Sequence, residues 1–432
     1  MDSPDLYLGI DLGTSGCRAI CINDSGEVFA EYQTGMPIPE RDGPRVEQDP
    51  EIWWLAVCDT LDGLLKKVDS KRICAIAFDG TSASLLACDA QGNPLGPALM
   101  YNDSRCVQET QLITQVAPAN CAAHGVCSSL AKLMYLQQRY QDKVRFALHQ
   151  ADWLSNRFAN SYGKSDYNNC LKLGYDLFNG QWPTWMHKLG INFELLPEVI
   201  APGAKLAEID RDIAERFKLS PTTQIVFGTT DSIAAFRATG AASIGDAVTS
   251  LGSTLVVKIL SDKPVFSSDH GVYSHRLDDK WLVGGASNSG GNVLKKFFSQ
   301  QQIDEMSKHL EPYHPLNLDY YPLTDPGERF PVNDPDLAPR LSPRPEDDVK
   351  FFQAILEGIA GIEYKAYRLL EKLGAPYPIS IRSVGGGAKN LAWNTIRENL
   401  HGTNFLAPLH HQAAYGAALL ASRNGHLTHQ KN

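Results

Sequence analysis

The run LYLGIDLGTSGCRAICI, residues 6–22, decides the fold. LYLGID is an apolar strand that closes on the acid Asp11, GTSG is a tight turn, and CRAICI is a second strand. NDSGE, residues 23–27, is a strong hairpin signal, and VFAEYQT after it is a third strand. From Trp53 to Val68 the apolar positions Leu61, Leu64, Leu65 and Val68 share one helical face. ICAIAF, residues 73–78, reads as a buried strand with Asp79 just after it; GTSAS and the strand-and-turn LLACDAQGNPL follow. Residues 128–160 and 205–219 read as largely helical, and QIVFGTTD, residues 224–231, as a strand ending in a polar elbow. A meander of strands followed by alternating helix and strand is the pattern of an α/β protein.

The opening recurs. DAVTSLGSTLVVKIL, residues 246–260, has the same strand–turn–strand layout, and Leu12-Gly13-Thr14-Ser15 matches Leu251-Gly252-Ser253-Thr254. Two related α/β domains are expected, residues 1–240 and 241–432, with the Pro-rich stretch Tyr321–Pro345 as extended surface chain. At ~100–200 residues per domain, 432 residues accommodate two large ones. Acids outnumber bases 49 to 40, which disfavours nonspecific binding to nucleic acid or anionic membranes. No apolar run approaches the ~20 residues of a membrane span, and MDSPDLYLGIDLG lacks a basic leader, so a cytoplasmic protein is expected. All nine cysteines fall between Cys17 and Cys170 without a CxxC, the distribution of reduced core residues rather than a zinc site.

Three elements carry groups suited to chemistry. In the first, a strand ends in Asp11 and turns through Gly13, Thr14, Ser15 and Gly16, so backbone N–H groups point outward and Arg18 adds charge. Such a turn can hold phosphate oxygens. Asp11 beside it would repel phosphate unless a cation lay between, which suits a Mg²⁺ anchor, direct or through water. The plainer alternative is a hairpin with an Asp-started turn. In the second, GTTDSIAAF (residues 228–236), Asp231 is either a helix N-cap or an aspartate at the strand–helix elbow where α/β sheets bind ligands. There it could take the proton of a hydroxyl attacking phosphorus. The third, SVGGGAKNLAW (residues 383–393), has a glycine triplet that lets a nucleotide approach, with Asn390 and Trp393 on the next turns; a helix cap with a core tryptophan is the alternative. No GxxxxGK[ST] motif is present.

In this order the elements resemble the FGGY carbohydrate kinases, sugar kinases of the actin-like ATPase superfamily, and most nearly their short xylulokinase-like group that phosphorylates D-ribulose. IDLGTSGCR is similar to that family's first phosphate motif and SLGSTLVV to its second. SDYNNCLKLGYD, LLPEVIAPG, GTTDSIAAF, GGASNSGG and SVGGGAKN are similar to its remaining segments. The resemblance implies two RNase H-like domains with an interdomain cleft, the first binding sugar and the second ATP. It implies Asp231 as general base, Asp11 as the Mg²⁺ and substrate-side carboxylate, and Thr14 at the transferring phosphate. Ser15, Gly16, Arg18 and Ser82 would belong to the sugar side and Gly252 to the nucleotide phosphates. Gly386, Gly387, Asn390 and Trp393 would hold the nucleoside, with Trp393 against the adenine. Where xylulokinases carry Met-His and glycerol kinases Arg-Glu, this chain has Asp79-Gly80-Thr81-Ser82. That departure argues against glycerol and weakens the case for D-xylulose. The resemblance to the short group implies D-ribulose as the acceptor, with D-xylulose or another polyol next, and an actin-like ATPase without a sugar acceptor as the alternative of a different class. Asp11 and Asp231 are expected to meet across a hinge. Oligomeric state is not legible.

Overall fold

A computed structural model describes residues 4–423. The chain forms two compact units: the residues up to Ala238 together with those from Gln412 on, and Thr239–His411. None of the helices among the described residues is long and apolar enough to cross a membrane. The nine cysteines are free.

The first unit is built on a six-stranded sheet. Its strands are β1 (Leu6–Leu12), β2 (Gly16–Asn23), β3 (Val28–Gly35), β4 (Ile73–Gly80), β5 (Lys205–Glu208) and β6 (Gln224–Thr230). They lie in the order β5-β6-β4-β1-β2-β3, with β6, β4 and β1 mutually parallel. Sheets with parallel strands are covered on both faces, so their strands read as continuous apolar runs. Here Leu6, Leu8, Ile10 and Leu12 face one side, with Ile76 and Phe78, against Trp53, Leu61 and Leu64 of the Pro50–Leu64 helix and Phe158 of the Gln150–Ala159 helix. Tyr7, Ala75, Ala77 and Val226 face the other, against Ala414, Ala417 and Ala418 of the closing helix Ala413–Arg423.

That closing helix is where the sequence-based boundary at residue 240 and the structure differ. The helix packs closely on the first sheet because alanines and glycines line its contact face. A Cβ added at Gly9 would sit 2.0 Å from the Ala414 carbonyl oxygen, and one at Gly416 would sit 1.9 Å from that of Ala234. Two local expectations also change. Within residues 205–219 a strand precedes a short helix, Arg211–Phe217, capped by Asp210, whose side chain accepts from Asp212 N and Ile213 N. Within residues 128–160 the strand Phe146–His149 separates the Ser129–Tyr140 helix from the next and joins a second, five-stranded sheet.

The second unit repeats the central layout. Strands β7 (Asp246–Leu251) and β8 (Leu255–Ser261) form an antiparallel hairpin, followed by β9 (Tyr273–Leu277), β10 (Lys280–Ala286), β11 (Ser380–Val384) and β12 (Asn404–Leu406). The order is β9-β10-β8-β7-β11-β12, so in both sheets the first strand has its hairpin partner on one side and a parallel strand on the other. The long helix Asp348–Lys372 covers one face. At its middle the fully buried Glu363 takes two 2.6 Å hydrogen bonds from Arg397 and another from the Thr249 hydroxyl of β7. Arg397 also donates to Ser383 of β11 at 2.7 Å. One ion pair thus ties two helices to the two central strands. The Pro-rich stretch after residue 320 has no helix, but it is not surface chain throughout: Tyr320, Tyr321, Leu323 and Phe330 are buried in the cores of this unit.

Two outcomes are expected. Gly9→Val should lower the stability of the first unit by about 3 kcal/mol, read from the urea midpoint, because the new side chain meets backbone. Burial pushes Glu363 upward, but Arg397 overrides it and holds the carboxyl well below the usual glutamate range. A depressed pKa gives stability that is present above ~4.3 and lost as pH falls. Glu363→Gln should therefore destabilise the protein at neutral pH, by ~3–5 kcal/mol, and flatten the acid limb of a stability–pH curve.

Candidate active site

Strand register builds the first half of the site. Asp11 on β1 lies directly beside Asp79 on β4, and Thr229 on β6 lies on the other side of Asp79. Asp231 follows immediately, as the first residue of the helix Asp231–Ala238. Three carboxylates therefore stand at the carboxyl ends of three neighbouring parallel strands, the place where open α/β sheets bind ligands. Asp11 and Asp231 are two strand spacings apart, roughly 10 Å, within one unit; no hinge separates them. The strand between them makes the difference from expectation, and it supplies a third acid that the sequence reading left outside the site. Its signal was present: Asp79, like Asp11 and Asp231, is an acid closing an apolar strand.

Local structure forces this alignment. At Gly228 β6 bulges against β4, and a Cβ there would lie 1.5 Å from the Phe78 carbonyl oxygen. Asn168 then donates to Thr229 at 3.1 Å from the helix Tyr167–Leu171, which Asp166 caps. The SDYNNCLKLGYD segment, residues 165–176, therefore braces the strand that leads into Asp231.

Asp79 is fully buried, and neither of its oxygens receives a donated hydrogen bond. Burial, followed by the charge of Asp11, pushes its pKa well up. Asp11 is also raised by burial, but the hydrogen bond with Asp79 and the nearby Arg18, 3.4 Å away, act to lower it. Two buried carboxylates side by side disfavour both being ionised. Asp231 is half-buried, with one oxygen accepting from Ser232 N at 2.6 Å.

The turn after β1 is closed by Gly13 N donating to the Gly16 carbonyl at 3.0 Å, with Thr14 half-buried and Ser15 exposed. Gly16 packs against β3, where a Cβ would come within 2.9 Å of the Thr34 oxygen. After β4 the turn Thr81–Ser84 sets Ser82 half-buried between a buried Thr81 and a buried Ala83. Asp11, Thr14, Ser15, Gly16, Arg18, Ser82 and Asp231 thus all lie in turns or strand ends of the first unit.

The second unit holds a cavity of about 520 Å³ lined by Gly252, Ser253, Lys295, Asp304, Ser307, Gly386, Gly387, Lys389, Asn390 and Trp393. The four positions expected at the nucleoside and the one expected at the phosphates all line it. Their roles in the wall differ. Trp393 is 3% exposed, packed in the core, with its indole N–H bonded to the Leu356 carbonyl at 3.0 Å. Asn390 caps the helix Leu391–His401 by accepting from Trp393 N at 3.0 Å, and its amide donates to Ser307 at 2.9 Å. Cap and core tryptophan therefore form the wall of a cavity rather than replacing one. Lys295 and Lys389 supply positive charge to the same wall.

Among the described residues there is no group of three His, Cys, Asp or Glu able to cage a metal. Mg²⁺ commonly takes only one or two carboxylates and completes its shell with water and substrate phosphates. Asp11, with the donor-free oxygens of Asp79 buried beside it, fits such an ion.

The chain matches the N-terminal domain of the FGGY family of carbohydrate kinases over residues 6–237 and the C-terminal domain over residues 247–425. It belongs to that family. Among similar proteins, a xylulose kinase of Staphylococcus xylosus is 24% identical over 96% of this chain and 90% of the relative. A gluconokinase of Bacillus subtilis is 23% identical over 96% and 86%. The crystal structure of a "xyloylose kinase" from Brucella ovis superposes with a TM-score of 0.87 at 22% identity, covering 97% of this chain and 90% of that one. The α/β fold is that of the actin-like ATPases, and the protein is a carbohydrate kinase, a phosphotransferase.

Two neighbouring glycines of this FGGY kinase separate packing from access. A Cβ at Gly387 would lie 2.5 Å from Trp393 and 2.9 Å from Leu251, whereas one at Gly386 meets nothing within 4 Å. Gly387→Ala should lower the melting temperature by several degrees, and Gly386→Ala should leave it unchanged, in parallel thermal melts.

Proposed function

We propose that this sugar kinase transfers the terminal phosphoryl group of ATP to the terminal hydroxyl of a ketopentose, D-ribulose giving D-ribulose 5-phosphate. The observation that carries the reading is the row of Asp11, Asp79 and Asp231 at the ends of three adjacent parallel strands. The middle member is fully buried against Asp11, and the two outer members keep separate tasks.

In this mechanism Asp231 accepts the proton of the sugar hydroxyl as its oxygen bonds to the γ-phosphorus and the bond to the ADP oxygen breaks. An aspartate of ordinary basicity suffices, since in a loose phosphoryl-transfer transition state orientation and charge neutralisation supply most of the rate. Asp11, directly or through water, and Asp79 behind it would hold Mg²⁺, which neutralises phosphate charge when bound. Thr14 and the turn around it orient the transferring phosphate. Gly252, Gly386, Gly387 and Asn390 shape the nucleotide cavity, with Trp393 as its packed wall beside the adenine. Ser15, Gly16, Arg18 and Ser82 meet the sugar.

The turn after β4 supports a polyol acceptor. Thr81 and Ser84 are buried and bonded within the turn, which leaves the half-buried Ser82 hydroxyl to partner a sugar oxygen. D-Xylulose is the second reading, favoured by the xylulose kinases among the relatives. Epimers that differ at one hydroxyl are separated by one or two contacts, so a coupled assay over ketopentoses and polyols decides between them. Asp231→Ala is expected to reduce kcat by about 10²–10⁴-fold while ATP affinity, followed by a fluorescent nucleotide, stays within twofold. Near-normal turnover in that variant rejects the role.

A further inference from the structure

Lys132, in the Ser129–Tyr140 helix, is fully buried. Its ammonium donates to two backbone carbonyls, those of Ala83 and Met100, each at 2.7 Å. Its neighbouring carboxylate, Asp103, is gripped instead by Arg105 and by Val46 N. Burial pushes the lysine pKa down to about 8, which registers how poorly the site solvates a charge. An apolar side chain of similar length would fill the space without that penalty. The charge is therefore retained where its visible work is to hold two carbonyls.

One of those carbonyls belongs to a residue that needs holding. Ala83 has φ +67°, in the left-handed region that a residue with a Cβ rarely adopts. It directly follows Ser82. On the other side of Ser82, Gln150 accepts from both the amide and the hydroxyl of Thr81, at 2.9 and 2.8 Å. The Thr81 and Ser84 hydroxyls are 2.6 Å apart, and Ser84 accepts from Tyr101 N at 3.0 Å. Ser82 is thus suspended between two clamps, Gln150 before it and Lys132 after it, while its own side chain stays half-exposed.

We propose that Lys132 is a positioning residue for sugar recognition: by fixing the Ala83 carbonyl it sets the direction of the Ser82 hydroxyl. The inference rests on the reading of Ser82 as a sugar contact. Lys132 touches neither sugar nor phosphate, so its effect belongs to KM for the sugar and not to turnover.

The test is a double-mutant cycle of Lys132→Met and Ser82→Ala in the full-length enzyme, assayed with the ketopentose that supports wild-type turnover. Lys132→Met is expected to raise the sugar KM tenfold or more, with kcat and the KM for ATP within twofold. In the Ser82→Ala background the same change should alter the sugar KM less than twofold. An unchanged sugar KM, an equal rise in the KM for ATP, or a full tenfold effect in both backgrounds overturns the proposal. If thermal melts show Lys132→Met to be unfolded, Lys132→Gln, which keeps an uncharged donor, takes its place under the same criteria. Failure of the underlying reading looks different: Ser82→Ala then leaves the sugar KM untouched, or no ketopentose is turned over, and the proposal falls with it.

Discussion

The register between β1, β4 and β6 is the constraint on which the site depends. A slip of one residue in any of the three strands turns its terminal acid from the ligand-facing side of the sheet into the hydrocarbon core. The apolar residues enforce the register: Leu6, Leu8, Ile10 and Leu12 must face one layer and Tyr7, Gly9 and Asp11 the other. Packing of the core and placement of the carboxylates are therefore one specification. The bulge at Gly228 adjusts β6 just before Asp231, where the ladder would otherwise continue past its neighbour.

Much of this was legible in the sequence because it is local. The opening hairpin and the repeat of its turn at Leu251–Thr254 each follow from a few consecutive residues, and the structure shows strands and turns there. Residues 228–230, read as a polar elbow, instead stay in the strand, and the helix starts directly at Asp231. Asp79 was visible as a strand-ending acid, yet its position between the other two is a fact of strand order, which periodicity does not encode. The same holds for Lys132 and Gln150, which reach the Thr81–Ser84 turn from 49 and 69 residues away in the chain. The strand at Lys205–Glu208 was read as helix because a four-residue edge strand beside a helix leaves no period of its own.

The two units answer the same problem with different chemistry. In the first, buried carboxylates crowd together, which disfavours ionising both. In the second, the central strands are tied by opposite charges, Glu363 and Arg397, buried and fully hydrogen-bonded. A paired, buried charge network fixes geometry tightly, which holds the central strands of this unit in place. Asp79, whose oxygens lack donors, is instead receptive to a cation.

The closing helix Ala413–Arg423 has a consequence for biosynthesis. The face of the first sheet that it covers contains Tyr7, Ala75, Ala77 and Val226, all made long before Ala414. Roughly four hundred residues separate Tyr7 from the alanines that cover it, so that apolar face waits for a long-range contact of the kind that slows folding.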